Sequence, residues 1–86
     1  MPWPEAQFEA LTSAHFDGLI ELQPDVVLLG TGARLKFPHP RLVAGLAAVR
    51  VGVEAMDTAA ACRTYNVLAG EGRRVIAVFL PTVLVP

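Results

Sequence analysis

Four consecutive apolar residues, Val26-Val27-Leu28-Leu29, preceded by Pro24-Asp25 and stopped by Gly30-Thr31-Gly32, constrain this chain more than any other feature. A strand with one wet face alternates apolar and polar residues. An unbroken run instead fits a strand covered on both faces, as in parallel sheets with helices on either side. Two further strand signals follow, Val51-Gly52-Val53-Glu54-Ala55 and Arg74-Val75-Ile76-Ala77-Val78-Phe79-Leu80. Pro40 suits the first turn of a helix whose apolar face is Leu42, Val43, Leu46 and Val49. Asp57 and Thr58 form a cap signal ahead of a helix over residues 59–69, which Gly70 and Gly72 close. Upstream, Thr12 can cap a first helix, with Leu11 placed to pack on Phe16 as a hydrophobic staple. Phe16, Leu19 and Ile20 share one face of it, and Pro24 stops it. From residue 26 the order is strand, helix, strand, helix, strand, which predicts one α/β layer with parallel pairing.

A chain of 86 residues holds one core and no second. Apolar residues make up 53% of it, high for a protein that must also cover itself with polar groups, so part of that excess is expected in an interface. Seven basic residues against eight acidic ones give a net charge of −1, without the basic stripe that a nucleic-acid binder needs. Cys62 is the single cysteine, which excludes an internal disulfide and a cysteine-based metal cluster and is compatible with a reducing compartment. Met1-Pro2-Trp3-Pro4-Glu5 has no basic region followed by an apolar run, so a cytoplasmic location is expected. The longest apolar tract, from Val75 to Val85, is broken by Pro81 and falls short of the roughly 20 residues of a membrane span.

Gly30-Thr31-Gly32 follows a buried strand, where a dinucleotide fold places its phosphate turn, and Glu54 is expected at the end of the next strand, where an acidic residue binds ribose. Against that reading, Leu35 occupies the third glycine position and Pro38 and Pro40 delay the helix that should receive the pyrophosphate. A plain turn requiring positive φ is favoured. Asp57 and Thr58 should sit beside this turn at the carboxyl edge of the sheet, either as part of a ligand pocket or, as favoured here, with Asp57 simply capping the helix. Cys62, Tyr65, Leu68 and Ala69 fall on one helical stripe, with Arg63 and Asn66 pointing elsewhere. Cys62 is therefore expected to be buried and slow to react. Ala59, Ala60 and Ala61 should allow close approach to the sheet. His15 and His39 have no adjacent acid or thiol to form a dyad. Arg73 and Arg74, in a charged turn before the last strand, could reach the carboxylate of a partner. No catalytic constellation, metal site or cofactor motif is assembled by these residues.

Pro24-Asp-Val-Val-Leu-Leu-Gly-Thr-Gly-Ala-Arg34, then Phe37-Pro-His-Pro40, then Met56-Asp57-Thr58, Cys62-Arg63-Thr64-Tyr65-Asn66 and Glu71-Gly72-Arg73-Arg74-Val75 follow one another along the chain. In this order they resemble the MTH nine-three-eight-like family of unknown function, over about residues 3–81. The family's eukaryotic members include a mitochondrial respiratory complex I assembly factor and an adipogenesis-associated protein. The resemblance implies a three-layer α/β fold around a mixed, mainly parallel sheet with one antiparallel strand. It transfers no catalytic residue onto Asp57, Thr58, Cys62, Arg63, Tyr65 or Asn66. The family's domain opens with a strand pair upstream of the Trp3 region, so this single domain is expected to be N-terminally incomplete.

The expected function is that of a non-enzymatic domain that binds another protein and assists assembly of a complex. The alternative is a small-ligand or nucleotide domain using Gly30, Thr31, Gly32, Asp57 and Thr58. Self-association is also expected, because without the upstream strand pair one edge of the last strand, Val75 to Leu80, would be unpaired and recruit a second chain, while the apolar tail Thr82-Val83-Leu84-Val85-Pro86 could pair with a neighbour or fold over the open edge of its own sheet.

Overall fold

A computed structural model describes residues 11–80. The Trp3 region and the tail after Leu80, on which two of the expectations above depend, lie outside the described residues. A short helix α1 (Ser13–Asp17) and a 3-10 turn (Ile20–Leu22) lead into strand β1 (Val26–Gly30). A second 3-10 turn (Pro40–Val43) runs directly into helix α2 (Ala44–Ala48). Strand β2 (Gly52–Met56), helix α3 (Thr58–Gly70) and strand β3 (Val75–Phe79) complete the described chain.

The sheet has the order β2-β1-β3, with β1 parallel to both neighbours. β1 is central, and all five of its residues are buried, as its unbroken apolar run requires. Alternate residues feed two buried clusters, one on each face of the sheet, where a single core was expected. Val27 and Leu29, with Val78 and Leu80, join Leu11, Phe16, Leu19, Leu46 and Val51 beneath α1 and α2. Val26 and Leu28, with Val75 and Ala77, pack against Leu68, Met56 and Phe79 on the α3 side. Helices thus cover both faces, giving the three layers that the resemblance implies. The strand pairing among the described residues is entirely parallel, as the alternation of elements predicts.

Local chemistry explains each boundary. Thr12 is the N-cap of α1; its N–H donates to His15 Nδ1 at 3.0 Å, with histidine standing where a capping box usually has Glu or Gln. Leu11, before the cap, and Phe16, in the next turn, enter the same buried cluster, as a staple should. The helix stops at Gly18, earlier than the Pro24 expected to end it. The chain then turns through Gln23 in the left-handed region (φ 51°) before Pro24 and β1.

Val49 departs from expectation: it is 51% exposed, not on the apolar face of α2. The helix ends at Ala48 because Arg50 adopts φ 64°, with Arg50 N–H donating to the Ala47 carbonyl and Val51 N–H to the Leu46 carbonyl. This is a Schellman closure, which turns Val49 outward and brings Val51 into the Leu46 cluster in its place. α3 closes in the same way through Gly72, at φ 80°. No helix among the described residues is long and apolar enough to cross a membrane.

Candidate functional site

The structure brings Gly30, Thr31, Gly32, Asp57 and Thr58 together at the carboxyl edge of the sheet, where hydrogen bonds within the fold occupy the Thr31 and Gly32 N–H groups, the Thr58 hydroxyl and the Asp57 carboxylate. Gly32 N–H donates to Thr58 Oγ1 at 2.9 Å, and Thr58 N–H donates to the Gly32 carbonyl at 2.9 Å. Thr31 N–H donates to the Met56 carbonyl at 2.9 Å. Asp57 Oδ1 accepts from Ala60 N–H at 2.9 Å, capping α3. A phosphate turn offers several free N–H groups to its anion. Here the N–H groups of Thr31 and Gly32 are already used.

The glycines have separate reasons. Gly32 needs φ 92°, whereas a Cβ on Gly30 would lie 2.8 Å from Phe79 Cδ1 and 3.2 Å from Thr58 Oγ1. Thr58→Val keeps the shape but leaves the buried Gly32 N–H without its acceptor, and is expected to cost about 1–3 kcal/mol in denaturant unfolding. Thr58→Ser, which restores the acceptor, should recover most of that. Equal stability of the Val and Ser variants would show that the hydroxyl is idle.

The remaining candidates do not converge on this edge. Arg73 and Arg74 are exposed and precede β3, so the parallel register places them at the opposite end of the sheet. Their turn is tied to β1 by Arg74 N–H donating to Asp25 Oδ2 at 2.9 Å and Asp25 N–H donating to the Arg74 carbonyl at 2.7 Å. Glu54 is the third of five residues in β2, level with Leu28, and not at the strand end where a ribose ligand would need it. His39 caps the second 3-10 turn, its Nδ1 accepting from Arg41 N–H at 3.1 Å. Among the described residues, no three His, Cys, Asp or Glu side chains come close enough to hold a metal ion.

A concavity lies elsewhere, on the α3 side of β3. A cleft of about 530 Å³ is lined by Cys62, Tyr65 and Asn66 of α3 and by Val75, Ile76, Ala77 and Phe79. Its presence corrects the expected roll of α3. Ala61 is the fully buried residue of this helix and Leu68, seven positions on, packs into the core; Cys62 and Tyr65 are exposed, and Asn66, expected to point away, borders the cleft. Ala61 is smaller than cysteine and lets α3 settle closer to the sheet, which rotates Cys62 to the cleft side. Cys62 is therefore expected to react with a thiol reagent in the native chain within about an order of magnitude of its rate in urea. Labelling slowed a thousandfold by folding would contradict its position. Phe79 and Val75 were missed as site residues because apolar strand positions read simply as core.

The sequence profile of the family described as "Protein of unknown function (DUF498/DUF598)" matches residues 1–80. An uncharacterized protein of Rhodobacter capsulatus is 45% identical over 86 residues, covering 94% of this chain and 61% of that protein. The NADH dehydrogenase (ubiquinone) 1 alpha subcomplex assembly factor 3 of Danio rerio is 40% identical over 63 residues, covering 73% of this chain and 36% of that protein. The chain thus spans less than two thirds of the length of these relatives. A crystal structure of a Bordetella parapertussis protein superposes with a TM-score of 0.83 at 46% identity, over 92% of this chain and 68% of the other. A Bordetella pertussis protein described as a Mth938-like domain superposes with a TM-score of 0.60 at 57% identity, over 63% of this chain and 34% of the other. A matched profile over nearly the whole chain and the agreement in fold lead to one conclusion: the chain belongs to the DUF498/DUF598 family of unknown function and has its Mth938-like α/β fold.

Proposed function

We propose that this chain is a non-enzymatic protein-binding domain that assists assembly of a larger complex, and that the cleft between α3 and β3 receives an apolar segment of the partner. The carrying observation is the cleft itself: apolar strand residues form its floor, and exposed Tyr65 and Cys62 stand on its rim. Tyrosine beside a desolvated apolar floor is a common anchor in interfaces, supplying area and one hydrogen bond at little entropic cost. Relatives named as complex I assembly factors support the assembly role. The alternative, a nucleotide turn at Gly30-Thr31-Gly32 with Asp57-Thr58, draws less support, because Gly32 and Thr58 bond each other, Thr31 N–H bonds the Met56 carbonyl and Asp57 accepts from Ala60 N–H.

The single cysteine makes the test direct. A thiol-linked benzophenone on Cys62, irradiated in native extract, is expected to give a discrete protein adduct. The same probe on a Cys62→Ser, Leu22→Cys chain, remote from the cleft, should not. Adducts of equal yield from both positions would remove the cleft from the account. An adduct at twice the chain mass of 9.2 kDa would identify the partner as a second copy of this chain. Light scattering coupled to gel filtration would then have to return a dimer.

A further inference from the structure

Between Asp25 and Glu54 the chain carries no acidic residue and four basic ones, Arg34, Lys36, Arg41 and Arg50, although its net charge is −1. Three of these flank the loop between β1 and α2, where Arg34-Leu35-Lys36-Phe37 alternates cations with large apolar side chains. Phe37 is 73% exposed and Leu35 49% exposed, the former the most exposed large apolar side chain among the described residues. We infer that this loop is a peripheral docking element for an anionic phospholipid surface, with Phe37 and Leu35 entering the headgroup boundary and Arg34 and Arg41 facing lipid phosphates. This goes beyond the proposed function and involves a different face.

Three observations favour a lipid surface over a folded partner. The loop is pinned in the conformation that displays these side chains: buried Thr31 donates from Oγ1 to the Arg34 carbonyl at 2.6 Å and accepts at the same atom from Lys36 N–H at 3.1 Å. Pro38 and Pro40 restrict the backbone immediately after it, so little ordering is needed on binding. The exposed pair also projects from a loop, and neither residue lines the cleft described above. Projecting apolar groups ringed by cations suit a fluid anionic layer, which closes around them and contributes roughly a fivefold gain in partition per cation.

Flotation of the full chain with phosphatidylcholine vesicles containing roughly one quarter phosphatidylserine tests this. Binding is expected to anionic vesicles and not to pure phosphatidylcholine, and to weaken as salt rises. Arg34→Gln with Arg41→Gln should lower the partition by roughly 25-fold, and Leu35→Ser with Phe37→Ser by at least about tenfold. All four positions are exposed, so these chains should retain the parent's circular dichroism and melting temperature. Failure to float with anionic vesicles would overturn the inference, as would equal binding to neutral ones or an unchanged partition in the serine variant. Retention on immobilised polyglutamate without vesicle binding would transfer the loop to an acidic protein partner. Benzophenone adducts at Cys62 are independent of these outcomes, so each idea can fail alone.

Discussion

Phe16→Ala is expected to destabilise the domain by about 3–5 kcal/mol. Phe16 is fully buried where α1 meets the sheet, in a cluster with Leu19, Leu46, Val27 and Val78. Helix α1 has only five residues, too few to persist on propensity, so its position depends on this ring. Truncation leaves a cavity that the central strand cannot fill, because β1 is held on both sides by parallel partners. A domain of this size has a total stability of about 4–13 kcal/mol, so a melting temperature lower by on the order of 20 °C is expected. Phe16→Leu, which retains most of the volume, should cost less than half as much. A Phe16→Ala chain melting within a few degrees of the parent would show that α1 is not part of the folded core.

Gly30→Val is the second large effect, expected at about 2–3 kcal/mol. Valine is ordinarily welcome in a strand, so the sign depends on the close approach of Phe79 and Thr58 to the Gly30 backbone. The new methyl groups would push the Phe79 ring out of its half-buried seat and into the cleft, linking a packing change to the proposed binding surface. Phe79→Ala made together with Gly30→Val should therefore show a coupling of at least about 1 kcal/mol in a double-mutant cycle. Additive losses would mean that the glycine is present for another reason, such as the approach of a ligand.

The sequence made the sheet legible because its signals are local and strong. The run from Val26 to Leu29 could be covered only on both faces, and the alternation with capped helices required parallel neighbours. Asp57 was readable as a cap for the same reason: its partner, Ala60 N–H, lies three residues away. What escaped depends on contacts between distant parts of the chain. Ala59-Ala60-Ala61-Cys62 offers four small residues in succession, and the pattern does not say which one meets the sheet; the surface presented by β1 and β3 selects Ala61 and turns Cys62 outward. The end of α2 was hidden because arginine, not glycine, takes the left-handed position at Arg50. The pairing of Gly32 with Thr58 spans 26 residues, so a turn that resembled a phosphate site in sequence proved to have its N–H donor occupied.

Recovery of bound material by the intact chain, compared with a Tyr65→Asp variant, tests the central claim most directly. Tyr65 is partly exposed on the cleft rim, so aspartate there should leave the fold intact while placing a charge against an apolar partner segment. The account predicts that native mass spectrometry of tagged wild-type chain, purified gently from its own extract, finds a stoichiometric protein partner. The Tyr65→Asp chain should lose at least about nine tenths of that partner, a free-energy change in keeping with loss of an interface anchor. A small molecule retained by both chains, with no protein above background, would contradict the account and favour the ligand-binding alternative.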